Sequence, residues 1–532
     1  MAFQLKGKDI SASFVVFLVA LPLCMGVAVA SKADVISGLM AGVIGGVVVG
    51  FLSGYSISVS GAAAGLITLV ESAFSDLKVL TPEHYLEAFA LAVILAGVIQ
   101  MILGLIKLGR IADFIPVSVI KGMLAAIGLI LILKQIPHLV GYDKDFEGDE
   151  DFIQSDGHNT LSELFFSFEQ LTLGAVVIGV FGLFILIAWE SNWIKSKSWS
   201  QWIPGSLVVV LMGVLINGLA GNGMSHLIIG QEHMVQVPVL SQSGSVMDSI
   251  NGLCGQFHFP NFKFISSLVV WVIAIKIALI ASIETLLSIE AGDKIDPEKR
   301  VSPANRELIA QGTGNFLGGL VGALPITAVI VRTSANVSGG AKTSTSTILH
   351  GVWLLFFVLF APQLINLIPN ASLAAILIFI GYKLAKPSLF MEQWKLGKSN
   401  FYPFIITVLA ILFSDLLIGI GIGLLLGFYF VIRSNYHKAF NLVRENENVL
   451  IRFHHQASFL NKSLLKQKLN TIHSGDCVLL DFVNCTYLDN DILDMIQDFL
   501  IHAELHQIAV EMNFLNSSQE KSLLKLNQTK PS

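Results

Sequence analysis

Long runs of apolar residues, repeated from near the N-terminus to about residue 433, constrain the fold of this chain more than any other feature. Of its 532 residues, 54% are hydrophobic and 13% are charged, whereas soluble domains carry about 25% charged residues. A membrane-spanning helix needs roughly 20 mostly apolar residues. The composition therefore predicts an all-α polytopic membrane protein over most of the length.

Fourteen segments of this kind can be placed along the chain. They cover approximately residues 13–30, 35–53, 60–74, 88–106, 113–134, 170–189, 202–220, 265–289, 308–323, 327–338, 345–361, 371–384, 401–413 and 415–433. The third and tenth segments are short and polar, which favours half-helices over complete spans. Because these two lie seven segments apart, and an odd number of spans reverses orientation, the pattern predicts two inverted repeats of seven segments.

Positive charge between the segments indicates the orientation of the chain. The basic residues that follow the N-terminus and segments four, six, eight and twelve are Lys6, Lys8, Lys107, Arg110, Lys195, Lys197, Lys294, Lys299, Arg300, Arg306, Lys383, Lys386, Lys395 and Lys398. With fourteen segments all of them fall on one side, which is cytoplasmic by the positive-inside rule. Both termini are then cytoplasmic, and the acidic loop Asp143–Asp156 lies on the opposite side.

The tenth segment places one arginine at membrane depth. Arg332 lies within Gly322–Thr343, an apolar stretch interrupted by Pro325 and several glycines. A cation at this depth is costly and usually functional, and a helix beginning near Arg332 would add free N–H groups and a positive dipole end. With hydroxyl groups from Thr333 and Ser334, the pattern indicates an anion site. The alternative is an arginine that only joins helices through an ion pair.

The third segment is the expected partner of the tenth. Residues 56–65 read SISVSGAAAG, a strand-like alternation followed by small residues. Ser60 is predicted to cap a helix that begins at Gly61, so that Ser60, Gly61 and Ala62 form the second edge of a small pocket. Close packing of helices through glycine and alanine is the alternative interpretation.

The eighth segment carries a lone acid among apolar neighbours. Glu284 lies in IALIASIETLLSIEAGDK, and Ser288 follows it at i+4 on the same helix face. We interpret Glu284 as a coupling or gating carboxylate that changes its partner or its protonation, with Ser288 beside it. A purely structural ion pair in the helix bundle is the alternative.

Enzyme chemistry is not indicated anywhere in the chain. The sequence contains no Walker loop, HExxH, GxSxG or dinucleotide-binding fingerprint after a strand. Its four cysteines, Cys24, Cys254, Cys477 and Cys485, form no CxxC pair. We therefore expect neither an enzyme nor a resident metal or cofactor, and no nucleic-acid partner.

The helical pattern of the membrane segments ends near Arg433, and the rest of the chain has a different character. Residues 434–447 read as a polar connector between the transmembrane domain, residues 1–433, and a tail domain, residues 448–525. Short strand-like runs such as Val449–Phe453 and Cys477–Phe482 alternate with helical stretches such as Asp491–Glu504. This alternation predicts a small cytoplasmic α/β domain.

Several of these stretches together resemble the SulP family of anion transporters, and the similarity covers nearly the whole chain. The residues that carry it are FLVALPLCMGVAVASKA, SVSGAAAGL, ASIETLLSIEAGDK, NRELIAQGTGNFLGGLVGALPITAVIVRTSANVSGGAKT and the tail. The resemblance implies a uracil-permease-like fold, in which a core domain of segments 1–4 and 8–11 moves against a gate domain of segments 5–7 and 12–14. It also implies an anion bound between the starts of segments three and ten, with Arg332 and Glu284 at the family's arginine and acid positions.

The tail resembles a short STAS domain. Asn490 stands where related anti-sigma antagonists carry a phosphorylatable serine, so dimerisation, folding or partner docking is the role that the resemblance favours here. SulP proteins are generally homodimers, and bacterial relatives with a similar tenth segment imply carbonic anhydrase as a candidate partner. Glu284 and Arg332 favour proton-linked or exchange transport over sodium coupling.

Four functional hypotheses follow from the residues and the resemblance. The first is a secondary active transporter of a small inorganic oxyanion, sulfate or bicarbonate, in the bacterial inner membrane, driven by an ion gradient of H+ or Na+. The second is a nucleobase permease on the same fold, which the fixed cation at Arg332 argues against. The others are a membrane sensor or scaffold that acts through its tail, and a passive anion channel.

Overall fold

A computed structural model describes residues 7–143, 159–169, 171–197, 203–220, 228–240, 246–436 and 440–514. The chain divides into two compact units, Met1–Leu424 and Leu425–Ser532. Most of the acidic loop, residues 144–156, and the end of the predicted tail domain, residues 515–525, lie outside the described residues.

The first unit is built almost entirely from helices. Its first helices are α1 (Gly7–Ala30), α2 (Val35–Ile44), α3 (Gly50–Leu52), α4 (Ile67–Leu80), α5 (Tyr85–Leu105), α6 (Val117–Val140), α7 (Thr160–Glu169), α8 (Leu173–Trp189), α9 (Asn192–Lys195), α10 (Gly205–Ala220) and α11 (Val246–Cys254). The helices that follow are α12 (Leu268–Ile295), α13 (Ala304–Leu320), α14 (Ile330–Ser338), α15 (Thr345–Phe360), α16 (Pro362–Ile365), α17 (Asn370–Leu384), α18 (Pro387–Lys395), α19 (Lys398–Phe413) and α20 (Leu416–Tyr436), the last of which crosses into the second unit. A π-helical turn, Gly45–Val49, joins α2 to α3.

Seven helical stretches of the described residues are long and apolar enough to cross a membrane. They are Gly7–Ala30, Val35–Leu52, Tyr85–Leu105, Val117–Val140, Leu268–Ile295, Asn370–Lys395 and Leu416–Arg433, and the bent pair that ends at Trp189 makes an eighth if it is one span. Shorter apolar helices lie at Gly205–Ala220, Thr345–Phe360 and Lys398–Phe413. The prediction of a mostly helical, multi-pass membrane protein is confirmed.

Two short strands interrupt the helices of the first unit. β1 (Ser60–Ala62) precedes α4, and β2 (Ile326–Ala328) precedes α14. They pair antiparallel, with Ser60 opposite Ala328, Gly61 opposite Thr327 and Ala62 opposite Ile326. Because residues 60–62 are drawn into this pairing, α4 begins only at Ile67, after a 3-10 turn at Ala64–Leu66. The prediction that Ser60 caps a helix beginning at Gly61 was therefore wrong.

The second unit contains a small sheet domain. Its strands are β3 (Phe440–Glu445), β4 (Asn448–Phe453), β5 (His455–Ala457), β6 (Cys477–Asp481), β7 (Cys485–Leu488) and β8 (Ala509–Asn513), and its helices are α21 (Lys462–Leu469) and α22 (Asn490–Leu505). Four strands form a sheet in the order β3-β4-β6-β8, in which only the β3–β4 pair is antiparallel. β3 lies within residues 434–447, where the sequence indicated a polar connector. The strand forms because it pairs with β4 in a hairpin, and the local pattern of polar residues does not reveal this pairing.

Candidate functional site

The paired strands bring two helix beginnings together inside the first unit. α14 begins at Ile330, two residues after β2, while α4 follows β1 after one 3-10 turn. The backbone N–H of Val329 donates to the carbonyl oxygen of Val59 at 2.9 Å, which extends the pairing up to the first turn of α14. Unpaired N–H groups and the positive end of the dipole make a helix N-terminus favourable for an anion.

Arg332 is fully buried beside this crossing. Its relative exposure is 0%, and its Nη2 donates to the carbonyl oxygen of Ala62 at 3.0 Å. The Nε and Nη1 atoms are also buried and have no hydrogen-bond partner among the described residues. Because unpaired buried donors of a cation are costly, these two atoms are the candidate donors to an anionic ligand.

A glycine makes room for the guanidinium. A Cβ atom at Gly61 would overlap Nη1 of Arg332, and one at Gly42 would lie 2.6 Å from Sγ of Cys24 and 4.0 Å from the same Nη1. The absence of side chains at these two positions lets the guanidinium lie directly against β1 and α2. The sequence indicated Gly61 as part of the site, whereas nothing in the sequence distinguished Gly42 or Cys24.

The two hydroxyl residues after Arg332 do not act alike. Thr333 Oγ1 donates to the carbonyl oxygen of Val329 at 3.0 Å and accepts from the backbone N–H of Val59 at 3.1 Å. This hydroxyl therefore joins α14 to the segment before β1. Ser334 is 3% exposed, and Asn336, which the sequence did not single out, donates to the carbonyl oxygen of Ile57 at 3.0 Å.

The hydroxyl of Ser60 is held by α13. Its Oγ accepts a hydrogen bond from Nε2 of Gln311 at 2.6 Å, and the same Nε2 lies 3.2 Å from Oε1 of Glu307. Ser53 donates to Oε2 of Glu307 at 2.6 Å. Ser60 thus belongs to a buried polar chain that fixes β1, and the backbone of β1 rather than this hydroxyl meets Arg332.

Asn315 fixes the other strand, and the sequence did not predict this role. Its Oδ1 accepts from the backbone N–H of Ile326 at 2.6 Å, and its Nδ2 donates to the carbonyl oxygen of Ile326 at 2.9 Å. The same Nδ2 donates to Gln100 at 2.6 Å. The spacing of Glu307, Gln311 and Asn315 along the sequence indicated an ordered helix, but the strand that they hold is distant in sequence.

Glu284 approaches the crossing from α12. It is 6% exposed, as is Ser288 one turn further along the same helix. A Cβ atom at Gly65 would lie 3.3 Å from the carboxylate of Glu284. The guanidinium of Arg332 therefore lies close to Gly61 and the carboxylate of Glu284 close to Gly65, four residues further along the same segment.

Two crevices are lined in part by segments of this arrangement. One, of about 210 Å³, starts at Ala64 and Gly65 and is bounded by Ile130 and by the beginning of α20 at Asp415–Ile418. The other, of about 360 Å³, has α1 and the end of α14 on one wall and α8, α10 and α17 on the other. Lys383, which is paired with Glu190, and Lys8 line this second crevice.

A model of the sulfate permease family matches residues 7–407 of the chain. Among curated proteins, the chain is 28% identical over 427 residues to "Putative sulfate transporter YvdB" of Bacillus subtilis (strain 168), covering 80% of this chain and 73% of that protein. It is 26% identical over 418 residues to "Bicarbonate transporter BicA" of Picosynechococcus sp. (strain ATCC 27264 / PCC 7002 / PR-6), covering 78% and 68%.

Two solved structures share the fold. The transmembrane domain of a cyanobacterial bicarbonate transporter BicA superposes with a TM-score of 0.51 at 20% identity, over 80% of this chain and 98% of that one. Murine Slc26a9, an anion transporter in the inward-facing state, superposes with a TM-score of 0.66 at 16% identity, over 97% and 87%. At these identities the likeness concerns the fold alone.

Proposed function

The chain belongs to the sulfate permease family and is an anion transporter rather than an enzyme, and we propose that it carries a small inorganic oxyanion by alternating access. Sulfate and bicarbonate are the two substrates that we propose, since the curated relatives include transporters named for each. The anion binds between the beginnings of α4 and α14. The gradient of a coupling ion, or exchange for another anion, drives the transport.

One observation carries this proposal: Arg332 is fully buried and keeps two donor atoms without a partner among the described residues. These donors lie where two helices begin, so a permanent charge and two dipole ends favour the same small anion. A neutral nucleobase would leave the guanidinium uncompensated, which favours an anion over a nucleobase as the substrate.

The two crevices support alternating access. The wall formed by α1 and α14 belongs to the proposed core domain of segments 1–4 and 8–11, and the wall formed by α8, α10 and α17 to the proposed gate domain of segments 5–7 and 12–14. The smaller crevice is lined in a comparable way, by α4 of the proposed core domain and by α6 and α20 of the proposed gate domain. Fourteen segments in two inverted repeats would make α4 and α14 equivalent half-helices, each opening towards one side of the membrane.

Glu284 is proposed as the coupling or gating acid, with Ser288 beside it. The carboxylate of Glu284 lies close to Gly65. A change in the protonation or the hydrogen-bond partner of Glu284 would therefore act on the turn before α4. We propose H+ or anion exchange ahead of Na+, because the chain has a glutamate at position 284 and a buried fixed cation at Arg332.

The remaining parts of the proposal concern the assembly. We propose a homodimer in the bacterial inner membrane, with both termini cytoplasmic and the STAS-like tail contributing to dimerisation or docking. Carbonic anhydrase is a proposed partner if the substrate is bicarbonate.

Uptake into proteoliposomes tests the proposal. Labelled sulfate and bicarbonate are offered separately, with sulfate, bicarbonate, chloride or oxalate as competitors, at set pH and sodium gradients. We expect saturable uptake of one oxyanion that depends on the gradient or on anion inside the vesicles, and no uptake in Arg332→Gln. Current that is linear in voltage and independent of the trans anion would instead identify a passive channel, and uracil uptake a nucleobase permease.

A further inference from the structure

A lysine lies in the middle of an apolar stripe on the surface of α12. The stripe consists of side chains that are exposed on the first unit, namely Leu268, Trp271, Val272, Ile275, Lys276, Leu279 and Ile283. α12 is one of the helices that are long and apolar enough to cross a membrane. Charged residues within such helices normally face the protein interior or a water-filled cavity, because a cation is costly in lipid. Lys276 therefore requires an explanation.

The depth and direction of Lys276 limit what its ammonium group reaches. The residue lies eight positions after the first residue of α12, about 12 Å along the helix axis. Side chains in α-helices lean towards the helix N-terminus, so Lys276 leans towards the beginning of α12. Trp271, whose Nε1 donates to the carbonyl oxygen of Ile265 at 2.8 Å, marks the membrane interface there, where aromatic residues concentrate. The lysine can thus extend its charge towards the headgroup region.

A crevice opens at this level between α4 and α12. Its volume is about 340 Å³, and its lining is apolar apart from one acid: Asp76, Val79, Leu268, Val269, Val272 and Ile273. Val272 and Ile273 precede Lys276 by four and three residues, so the lysine lies on the same side of α12 as the crevice. No ion pair of Asp76 or Lys276 occurs among the described ion pairs of the chain.

We propose that this crevice binds a zwitterionic phospholipid with a primary amine in its headgroup, such as phosphatidylethanolamine. The phosphate accepts from the ammonium of Lys276, the headgroup amine donates to Asp76, and an acyl chain covers the apolar lining. The opposite charges of the two side chains match the opposite charges of such a headgroup, whereas an anionic lipid would meet Asp76 unfavourably. The apolar neighbours of Lys276 favour lipid over an aqueous route for the transported anion.

Native mass spectrometry of the full-length protein tests the site. The protein is titrated in mild detergent with dioleoyl phosphatidylethanolamine, phosphatidylcholine or phosphatidylglycerol, and the bound lipid is counted. We expect phosphatidylethanolamine to bind best, Lys276→Gln to lower its binding on the order of tenfold, and Lys276→Arg to retain it. Asp76→Asn should lower the binding of phosphatidylethanolamine to the level measured for phosphatidylcholine.

Lys78→Gln is the matched control, because Lys78 is an exposed lysine of α4 that lies over the ring of Tyr85 and does not line the crevice. Its lipid binding should equal that of the unchanged protein. Undiminished phosphatidylethanolamine binding in Lys276→Gln overturns the proposal. Preferred binding of phosphatidylglycerol also overturns it. A loss of anion uptake in Lys276→Gln with unchanged lipid binding overturns it as well, because that result places the lysine on the route of the anion.

Discussion

At position 61 a glycine lets the guanidinium of Arg332 reach the carbonyl oxygen of Ala62. A methyl group there would overlap Nη1 of Arg332, so Gly61→Ala should displace the side chain without removing its charge. Because a charge-assisted hydrogen bond contributes about 1.5–3 kcal/mol, we expect anion affinity to fall by at least about tenfold. Isothermal titration calorimetry with sulfate and bicarbonate measures this.

Gly218→Ala is the control for this substitution. A Cβ atom at Gly218 would meet no heavy atom within 4 Å, so the affinity of this variant should equal that of the unchanged protein. If Gly61→Ala binds anions normally while remaining monodisperse, the guanidinium is not the anion-binding group.

Glu284 lies close to Gly65, at the other end of residues 61–65. In Glu284→Gln the contact with Gly65 is retained in size but cannot change its charge, so binding should persist while the transition between the two access states slows. We expect anion affinity within about threefold of the unchanged protein and uptake at least about tenfold slower. Parallel calorimetry and proteoliposome uptake separate the two effects, and a variant that does not fold would identify Glu284 as structural.

At the scale of elements, the loop segment 228–240 is held by a cluster of ionisable side chains at the end of α6. Oδ1 of Asp143 lies 2.6 Å from Nδ1 of His138, and Oδ2 of Asp143 lies 2.6 Å from Nδ1 of His233. Burial raises the pKa of Asp143, but the hydrogen bonds from the two histidines outweigh it and lower the pKa to about 2. The hydrogen bond to Asp143 raises the pKa of His233 above its usual 6.5, and Glu232 adds to this effect.

These pKa shifts predict the pH range over which the loop is held. The contribution of His233 is complete below pH 6.5 and is lost as the pH rises through its raised pKa, while that of Asp143 is lost only as the pH falls below about 4. We expect the amide of Val235, which donates to Ile368 at 3.0 Å, to be better protected from hydrogen exchange at pH 6 than at pH 8.5. Protection factors that are equal at both pH values, or a pH effect that persists in His233→Gln, would contradict this.

The two broken elements show how far local sequence determines the fold. The tenth segment was predicted at 327–338, and the structure has β2 and α14 there. The residues directly after Pro325 form the strand, and the polar residues from Arg332 onward lie in the helix. The third was predicted at 60–74, but its helix runs from Ile67 to Leu80. Pairing with a distant strand displaced its start, and no local pattern contains that information.

The buried polar residues of α13 illustrate the same limit at the site. Their spacing marked an ordered helix, and the charges at Arg332 and Glu284 could be recognised because ionisable residues are rare in apolar segments. That Asn315 binds the backbone of Ile326, and that Gly42 lies beside the guanidinium, depends on which helices are neighbours. The packing of the whole helix bundle determines which helices are neighbours, and the sequence of a single segment does not predict it.

At the scale of the whole molecule, the proposed anion site and the tail domain belong to different compact units. Each contact that forms the site, from Gly61 to Arg332, lies before Leu425, and the sheet domain has its own core around Ile451, Phe453 and Ile492. A chain that ends after Tyr436 should therefore bind sulfate or bicarbonate within about twofold of the full-length affinity, because no contact of the site is removed.

Calorimetry on the full-length and the shortened chain measures anion binding, and light scattering measures the mass of each assembly independently. If the tail contributes to dimerisation, the shortened chain should show a lower mass at unchanged affinity, since every residue of the proposed anion site precedes residue 425. Loss of binding in a shortened chain that remains monodisperse would mean that the tail shapes the site. If both chains have the mass of a dimer, the dimer contact lies in the membrane helices, and the exposed apolar surfaces of α19 and α20 become the first region to test.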